Sequence, residues 1–181
     1  MHSPIRILRV VGRMDRGGLE TVIMNVYRLI DRSRVQYDCV VHSDREAAYD
    51  REIQGLGGRI FRAPAYRVMN HVRYGHFWER FFRAHPEYAV VHGHVRSTAR
   101  LYLGMSRCHG LATIAHSHNT SSGRGLKAFI KWMLQAHLDR SADVLLACSR
   151  PAGEWLFGSS AVLQNRVFVV PNGLDVRSCD F

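Results

Sequence analysis

The chain has 181 residues, of which 46% are hydrophobic, and it carries a formal net charge of +10. A chain of this length can bury one substantial core and suits one domain better than two. The positive charge favours anionic partners, such as nucleotide phosphates, lipid headgroups or nucleic acid. No apolar run approaches the roughly 20 residues of a membrane-spanning helix, so we expect a chain that does not cross a bilayer.

The cysteine pattern and the first residues indicate the cellular compartment. The four cysteines are scattered without a C-x-x-C pair, and Met1 leads straight into a predicted strand without an apolar secretion signal. We therefore expect a reduced, cytoplasmic protein.

Seven short apolar runs, rich in Val, Ile or Leu, predict β-strands. Several of them lack polar alternation, as expected for a parallel sheet covered by helices on both faces. The predicted strands are Ile5–Val11, Tyr37–Val41, Arg59–Phe61, Ala89–Val91, Leu111–Ala115, Val144–Ala147 and Val167–Val170.

Amphipathic segments between these strands predict helices, the first of which carries an apolar stripe of Leu19, Val22, Ile23, Val26 and Ile30. The alternation of strand and helix predicts an α/β fold with a doubly wound, Rossmann-like parallel sheet. Ligands of such sheets bind beyond the carboxyl ends of the strands. The predicted helices are Leu19–Ile30, Glu46–Leu56, Val72–Ala84, Thr98–Arg107, Leu126–Arg140 and Pro151–Phe157.

A glycine turn, Gly17-Gly18, joins the first predicted strand to the first predicted helix. Such a turn brings bare backbone N–H groups to a helix N-terminus, where a phosphate or an anionic sugar group can be held. Arg13 flanks the turn and is either a phosphate ligand or a solvated loop residue. Leu19 and Glu20 stand where a P-loop has Lys and Ser or Thr, and the turn does not match G-x-G-x-x-G. ATP hydrolysis of the P-loop type and nicotinamide binding are therefore disfavoured.

Two predicted strands are followed by histidine pairs, His92 with His94 and His116 with His118. Residues two apart in an extended backbone point to one face, so each pair can present two imidazoles to the same space. If these strands lie beside the first one, all four rings face the glycine turn. The pairs are also open to a purely structural interpretation and to a zinc site. Neither pair has an Asp, Glu or Cys beside it, so we expect no bound metal.

Five motifs, in order along nearly the whole chain, resemble the N-terminal half of the GT-B glycosyltransferases of the family-four type. The closest similarity is to bacterial exopolysaccharide and capsule glycosyltransferases. The first strand with the Gly-Gly-x-Glu turn opens the series, and the later motifs mark the fourth strand, the fifth strand, a strand-to-serine segment and the inter-domain segment. The motifs are Arg6–Val11 with Gly17–Glu20, Val90–His94, Ile114–Asn119, Asp143–Ser149 and Val169–Asp175.

The resemblance implies a retaining transfer of a sugar from a nucleotide-sugar donor to a glycan or lipid-linked acceptor in cell-surface polysaccharide synthesis, without a metal or other cofactor. Residues 1–170 are then the acceptor-binding domain of a two-domain enzyme, and residues 171–181 begin the inter-domain linker. The C-terminal donor-binding domain of the family is absent from this sequence, so we expect the isolated chain to be inactive.

The resemblance also implies roles for single residues. The Gly17 and Gly18 amides approach the donor diphosphate, His118 is the catalytic residue beside the reacting sugar, and His116 takes its place if the register is offset by two. The acceptor pocket is lined by His94 and Asn119, while His92 packs against the sheet.

Basic residues alternate with aromatic ones in the predicted helices at residues 72–84 and 126–140. They form either a solvated basic face or a surface attracted to an anionic membrane, which would place the protein at the inner face of the cell membrane. No nucleic-acid recognition motif is present, so we expect no nucleic-acid partner. Three functions stay open at this point: half of a glycosyltransferase, a metal-dependent hydrolase built on the four histidines, and a non-catalytic binding module.

Overall fold

A parallel sheet of seven strands forms the centre of the computed structural model, which describes residues 3–118 and 138–173. The strand order is β3-β2-β1-β4-β5-β6-β7, and each neighbouring pair is parallel. The strands are β1 (Ile5–Val11), β2 (Val35–Val41), β3 (Ile60–Arg62), β4 (Tyr88–Gly93), β5 (Ala112–Ser117), β6 (Val144–Ala147) and β7 (Val167–Val169). The α/β doubly wound fold predicted from the sequence is confirmed.

Six α-helices lie in the described part of the chain and connect these strands. They are α1 (Gly18–Leu29), α2 (Asp50–Gly55), α3 (His71–Ala84), α4 (Ala99–Cys108), α5 (Arg150–Phe157) and α6 (Ser159–Leu163). Short 3₁₀ turns at Val68–Asn70, Arg96–Thr98 and Leu138–Arg140 complete the connections. None of the helices in residues 3–118 and 138–173 has the length and apolar character needed to cross a bilayer.

The sheet reverses its direction of growth between β1 and β4. The chain first adds β2 and β3 on one side of β1, and β4 then returns to the other side. In doubly wound sheets the connections on the two sides of such a switch point leave a crevice at the carboxyl ends of the strands, where ligands bind. The fold therefore places its crevice beside the ends of β1 and β4.

Several predicted boundaries need correction. β1 and β6 have the predicted bounds, but β4 and β5 continue to Gly93 and Ser117, two residues further than expected. The reason is that His92 and Gly93 still pair with β1, so His92 and His116 lie within strands rather than after them. Helix α6 was not predicted, and of the helix predicted at Leu126–Arg140 the part at 126–137 lies outside the described residues.

Apolar side chains cover both faces of the sheet. On one face, Trp78 of α3 is fully buried and makes ring contacts with Phe82 and Tyr102. On the other face, Met24 and Tyr27 of α1 are buried against β2. Burial of side chains of this size stabilises the fold by about 1.5–3 kcal/mol each.

The predicted apolar stripe of α1 is only partly a core stripe. The buried residues of α1 are Ile23, Met24 and Tyr27; of these only Ile23 belongs to the predicted stripe, and Val26 of the stripe is exposed. Val22 and Val26 instead line a cavity beside the carboxyl end of the sheet. Helix α1 thus turns one apolar flank to the core and another to the crevice.

A buried carboxylate holds the opposite end of the sheet. Asp38 of β2 is fully buried and accepts hydrogen bonds from Arg6, Arg59 and Tyr88. Burial alone would raise the pKa of Asp38, but these hydrogen bonds outweigh burial and hold its pKa below the usual range. The group ties the middle of β2 to the amino ends of β1 and β4, away from the crevice.

Candidate functional site

A polar cavity of about 380 Å³ opens at the N-terminus of α1, beside the ends of β4 and β5. Three segments distant in sequence meet there: the glycine turn, the end of β4 and the end of β5. The structure therefore brings together Gly18, His94 and His118, as the sequence analysis expected. The cavity is lined by Gly18, Leu19, Glu20, His94, Arg96, His118 and Asn172.

The two glycines of the turn have different positions. The N–H of Gly17 donates to the Asp15 carbonyl at 2.8 Å, so this amide is used inside the turn itself. Gly18 is the first residue of α1 and lines the cavity. Because the first N–H groups of a helix have no intrahelical acceptor, the amides of Gly18, Leu19 and Glu20 are available to a ligand, whereas that of Thr21 donates to the Gly17 carbonyl. A Cβ on Gly18 would meet nothing within 4 Å, which leaves its cavity side open.

The structure does not place Arg13 at this cavity. Its guanidinium forms an ion pair with Asp15 at 3.1 Å and donates to the Glu46 carbonyl at 2.9 Å. Both contacts lie on the side of the turn that faces the loop before α2. The phosphate role considered for Arg13 thus competes with two existing partners.

The four histidines form one stacked cluster, which joins the adjacent strands β4 and β5. Ring centroids are 4.3 Å apart for His92 and His94 and 3.9 Å apart for His116 and His118. Between the strands, His92 Nε2 lies 3.2 Å from His116 Nδ1, and His94 Nδ1 lies 3.0 Å from His118 Nε2. The i, i+2 spacing in each strand therefore puts all four rings on the same face of the sheet.

Arg9 of β1 completes the cluster, and the sequence analysis missed it. Its Nη1 lies 3.2 Å from His92 Nδ1 and 3.2 Å from His94 Nε2. The guanidinium also stacks 4.1 Å from the centre of the Tyr37 ring. The available signal was a second charged residue, besides Arg6, in a strand that is otherwise apolar. Its partner follows from the pairing of β1 with β4, in which Arg9 lies opposite His92.

The environment keeps the imidazoles neutral. Burial, followed by the positive charge of Arg9, lowers the pKa of His118 to about 4, although the Asn172 side chain acts in the opposite direction. Burial, with His118 and Arg9 nearby, lowers the pKa of His116 to about 3. The pKa values of His92 and His94 are also well below the usual range because both rings are buried beside Arg9. At neutral pH the cluster therefore offers hydrogen bonds rather than charge.

The cluster has some features of a metal site. One ring nitrogen from each of His92, His94 and His116 lies within 4.8 Å of the others. However, the guanidinium of Arg9 already occupies one nitrogen of His92 and one of His94, and the other nitrogen of each ring contacts β5. A metal ligand must offer a free lone pair, and a fixed cation 3.2 Å away repels a second one. This arrangement therefore fits a divalent cation poorly.

Two further cavity residues were not identified from the sequence. Arg96, in the 3₁₀ turn after β4, stacks 4.4 Å from the centre of the Trp155 ring. Its Nη1 is buried and has no hydrogen-bond partner within residues 3–118 and 138–173. Asn172 belongs to the motif Val169–Asp175, which the sequence analysis interpreted only as the inter-domain segment. The predicted acceptor residue Asn119 lies outside the described residues.

Solved structures with the same architecture support the fold assignment. A structure of HepE from Anabaena in complex with UDP and glucose is 15% identical and superposes with a TM-score of 0.63, over 96% of this chain and 46% of HepE. The lipopolysaccharide outer core galactosyltransferase WaaB is 13% identical with a TM-score of 0.62, over 96% of this chain and 47% of WaaB. MnaA of S. aureus, in a co-structure with UDP, is 12% identical with a TM-score of 0.65, over 93% of this chain and 45% of MnaA. At these identities the likeness concerns the fold alone.

Sequence comparison is more specific. Residues 16–178 match the model of Glycosyltransferase Family 4. The chain is 34% identical over 179 residues to the Bacillus subtilis (strain 168) protein named "Putative glycosyltransferase EpsF". The match covers 97% of this chain and 47% of EpsF, so the chain spans about half the length of that relative. With the family motifs, the parallel sheet and the crevice at its switch point in agreement, the chain belongs to Glycosyltransferase Family 4.

Proposed function

We propose that this chain forms the acceptor-side half of a retaining glycosyltransferase that transfers a sugar from a nucleotide-sugar donor to an acceptor hydroxyl. The observation that carries the proposal is the meeting of Gly18, His94 and His118 at one cavity beside the switch point of the sheet. Helix N-terminal amides suit a diphosphate, and neutral imidazoles suit sugar hydroxyls. The cavity joins both kinds of group.

In this proposal the N-terminus of α1 faces the donor diphosphate. The amide of Gly18 and the positive end of the helix dipole stabilise the negative charge that grows as the nucleotide leaves. Gly17 contributes by setting the turn, since its own amide already has a partner. UDP bound to HepE makes a nucleotide-sugar donor the reasonable co-substrate, with no resident cofactor.

His118 is the proposed catalytic residue. With a pKa of about 4 it stays neutral at pH 7, so it acts by hydrogen bonding to the reacting sugar or the acceptor and is a weak proton acceptor. His94 and His116 hold the His118 ring from two sides, at 5.1 and 3.9 Å between ring centroids. A ring fixed in this way loses little entropy when the transition state forms.

Arg96 suggests the chemistry of the acceptor. Arg96 lines the cavity together with His94 and His118, and its buried Nη1 has no hydrogen-bond partner in the described residues. A guanidinium in this position suits a phosphate or carboxylate on the acceptor. A lipid-linked acceptor with a phosphate group fits this requirement, as does an anionic glycan of a cell-surface polysaccharide.

A second surface favours a membrane-linked acceptor. Residues Val68, Met69 and Val72 are exposed hydrophobics around the start of α3, and Arg73 and Arg80 of the same helix lie beside them. The aromatic residues of α3 face the core instead, so the basic residues are left on the outer side. Exposed apolar tips among arginines suit an anionic bilayer, and we place the protein in the cytoplasm, at the inner face of the cell membrane.

The domain assignment is part of the same proposal. Residues 1–170 form the acceptor-side domain, and the segment from residue 171 leads towards a second, donor-binding domain. Since transfer requires both substrates in one closed cleft, this chain alone has negligible transferase activity. Nucleic acid is not a partner in this account.

The test is a chimera that joins this chain to the part of EpsF that it does not match. Release of nucleoside diphosphate is measured for a panel of nucleotide sugars, with a Bacillus subtilis membrane-lipid extract as the source of acceptor. We expect release that depends on the extract, with the sugar recovered in the lipid fraction. EpsF itself is the positive control. Activity of EpsF with no activity of a folded chimera indicates a non-catalytic module, and extract-independent release indicates hydrolysis.

A further inference from the structure

The hydrogen bonds of the histidine cluster have a direction, and Arg9 sets it. A guanidinium carries only donors, so every atom that it meets within hydrogen-bond distance must accept. Arg9 Nη1 meets His92 Nδ1 and His94 Nε2, both at 3.2 Å. These two nitrogens therefore carry lone pairs, and each neutral ring holds its single proton on the other nitrogen.

The contacts of His92 and His94 with the second histidine pair determine where the protons of that pair lie. The proton on His92 Nε2 is donated to His116 Nδ1 at 3.2 Å, and the proton on His94 Nδ1 is donated to His118 Nε2 at 3.0 Å. His116 Nδ1 and His118 Nε2 are then acceptors. The rings of His116 and His118 must keep their own protons on the remaining nitrogens, Nε2 and Nδ1.

Those remaining nitrogens are the ones left without a partner. His116 Nε2 and His118 Nδ1 are buried and complete no hydrogen bond in the part of the chain that the structure describes. The Asn172 side chain lies close enough to His118 to raise its pKa, but it does not reach the geometry of a hydrogen bond to Nδ1. Both rings line a cavity of about 190 Å³ next to Asn172 and the apolar flank of α1. A buried N–H without an acceptor costs about 1–3 kcal/mol, so an acceptor atom in the cavity recovers that cost.

We propose that Arg9 is a positioning residue, which fixes the tautomers of all four histidines so that His116 and His118 present N–H donors to an oxygen-bearing ligand. The ligand atom is a phosphate, carboxylate or hydroxyl oxygen, because each of these accepts a hydrogen bond. A metal ion is rejected, since it needs lone pairs where the cluster offers protons. This inference concerns the cluster itself and stands or falls independently of sugar transfer.

The direct test uses the unmodified protein. Histidine labelled with ¹⁵N gives two-bond ¹H–¹⁵N spectra that distinguish the two tautomers of each ring. At pH 7.5 we expect one tautomer for each cluster ring, with the proton on Nε2 in His92 and His116 and on Nδ1 in His94 and His118. The exposed ring of His76 is the internal reference, with a mixture of tautomers. The opposite proton position in His116 or His118, or a protonated ring, would overturn the inference.

A variant isolates the role of Arg9. In Arg9→Met the side chain keeps an apolar stem over Tyr37 but loses its donors, so we expect mixed tautomers in the cluster and binding of Co²⁺, seen by its visible absorption. The unmodified protein and the control Arg51→Met, at an exposed site, should bind no Co²⁺ at the cluster. Arg9→Lys restores a cation with several donors and should restore the four tautomers. Unchanged tautomers in folded Arg9→Met, or Co²⁺ bound by the cluster of the unmodified protein, would contradict the role of Arg9.

The same spectra show which kind of oxygen atom the cluster binds. Inorganic phosphate, sodium acetate and methyl glucoside are titrated separately into the labelled protein. A shift of the His116 and His118 N–H signals with phosphate or acetate assigns an anionic oxygen, and a shift with the glucoside alone assigns a hydroxyl. Both results support the donor assignment, whereas no response to any of the three would remove the ligand part of the proposal.

Discussion

His94 and His118 form a hydrogen bond of 3.0 Å across two neighbouring strands, at the edge of the cavity that also contains Gly18. The bond couples the first residue after β4 to the first residue after β5. It orients the ring that the proposed mechanism needs, and it does so from the interior of the protein, where His94 is only 8% exposed.

The first prediction concerns this pair. In the EpsF chimera, His118→Ala should lower kcat/KM for sugar transfer by about 10²–10³-fold, the cost of removing one oriented donor from a reacting centre. His94→Ala should have a smaller effect, since His116 still contacts His118. The exposed His71→Ala is the matched control and should retain full activity. Equal rates for His118→Ala and the control would rule out the catalytic role.

The second prediction concerns the free side of Gly18. Gly18→Ala adds a methyl group that meets no protein atom, so the free energy of unfolding should not fall. The same methyl group projects from the first turn of α1, where the diphosphate is placed, and should raise KM for the nucleotide sugar. Gly104→Ala, in α4 and equally free of protein contact, is the control for helix propensity and should leave KM unchanged. An unaltered KM in Gly18→Ala would argue against a diphosphate at this turn.

The third prediction is a loss of stability in mild acid. The pKa values of His116 and His118 are lowered from 6.5 to about 3 and about 4, so both rings are neutral in the folded protein and take up protons when it unfolds. The stability is then fully present above pH 6.5 and falls as the pH drops towards 4. Each such histidine contributes up to about 1.4 kcal/mol per pH unit in that window. Urea denaturation at a series of pH values checks this, and His118→Asn should reduce the slope; a flat profile would refute the neutral cluster.

The fourth prediction concerns the buried carboxylate of Asp38. Asp38→Asn leaves Arg6 without its carboxylate partner and Arg59 with Glu87 alone, which should lower the free energy of unfolding by about 1–3 kcal/mol. Glu46→Gln, which breaks the exposed ion pair with Arg51, is the comparison and should change stability little. Similar denaturation midpoints for the two variants would show that the Asp38 carboxylate does not stabilise the fold.

The fifth prediction concerns membrane contact. Charge reversal on the basic side of α3, in the double variant Arg73→Glu and Arg80→Glu, should abolish co-sedimentation with vesicles that contain anionic lipid. Arg51→Glu changes an exposed arginine elsewhere and should sediment like the unmodified protein. Absence of binding by the unmodified protein, to anionic and to neutral vesicles alike, would remove the membrane proposal.

Sequence patterns were sufficient for the fold because apolar runs and helical stripes are local features. They also anticipated that the glycine turn meets one histidine of each pair, His94 and His118, since carboxyl ends of adjacent parallel strands share one edge. His92 and His116 line the neighbouring cavity instead. Arg9 was not anticipated, because its partners depend on β4 returning to the side of β1 away from β2. Arg96 was missed for a similar reason: a short 3₁₀ turn, with no periodic pattern, brings it to the cavity.

The same dependence explains the misplaced strand ends. β4 and β5 continue through His92 and His116 because backbone pairing with their neighbours persists there, although a polar side chain interrupts the apolar run. Because β4 and β5 continue this far, their histidine rings are held in contact with one another. The polar histidine side chain ends the apolar pattern in the sequence, whereas the pairing of strands depends on the backbone alone and continues past it.

A crystal structure of the EpsF chimera with UDP-glucose gives the most direct measurement of the central claim. The distances to be measured run from the Gly18 amide nitrogen and from His118 Nδ1 to the bound nucleotide sugar. We expect one ligand molecule within about 3.5 Å of both atoms, with its diphosphate at Gly18 and its sugar at His118. A nucleotide sugar bound in the chimera without contact to either atom would contradict the account.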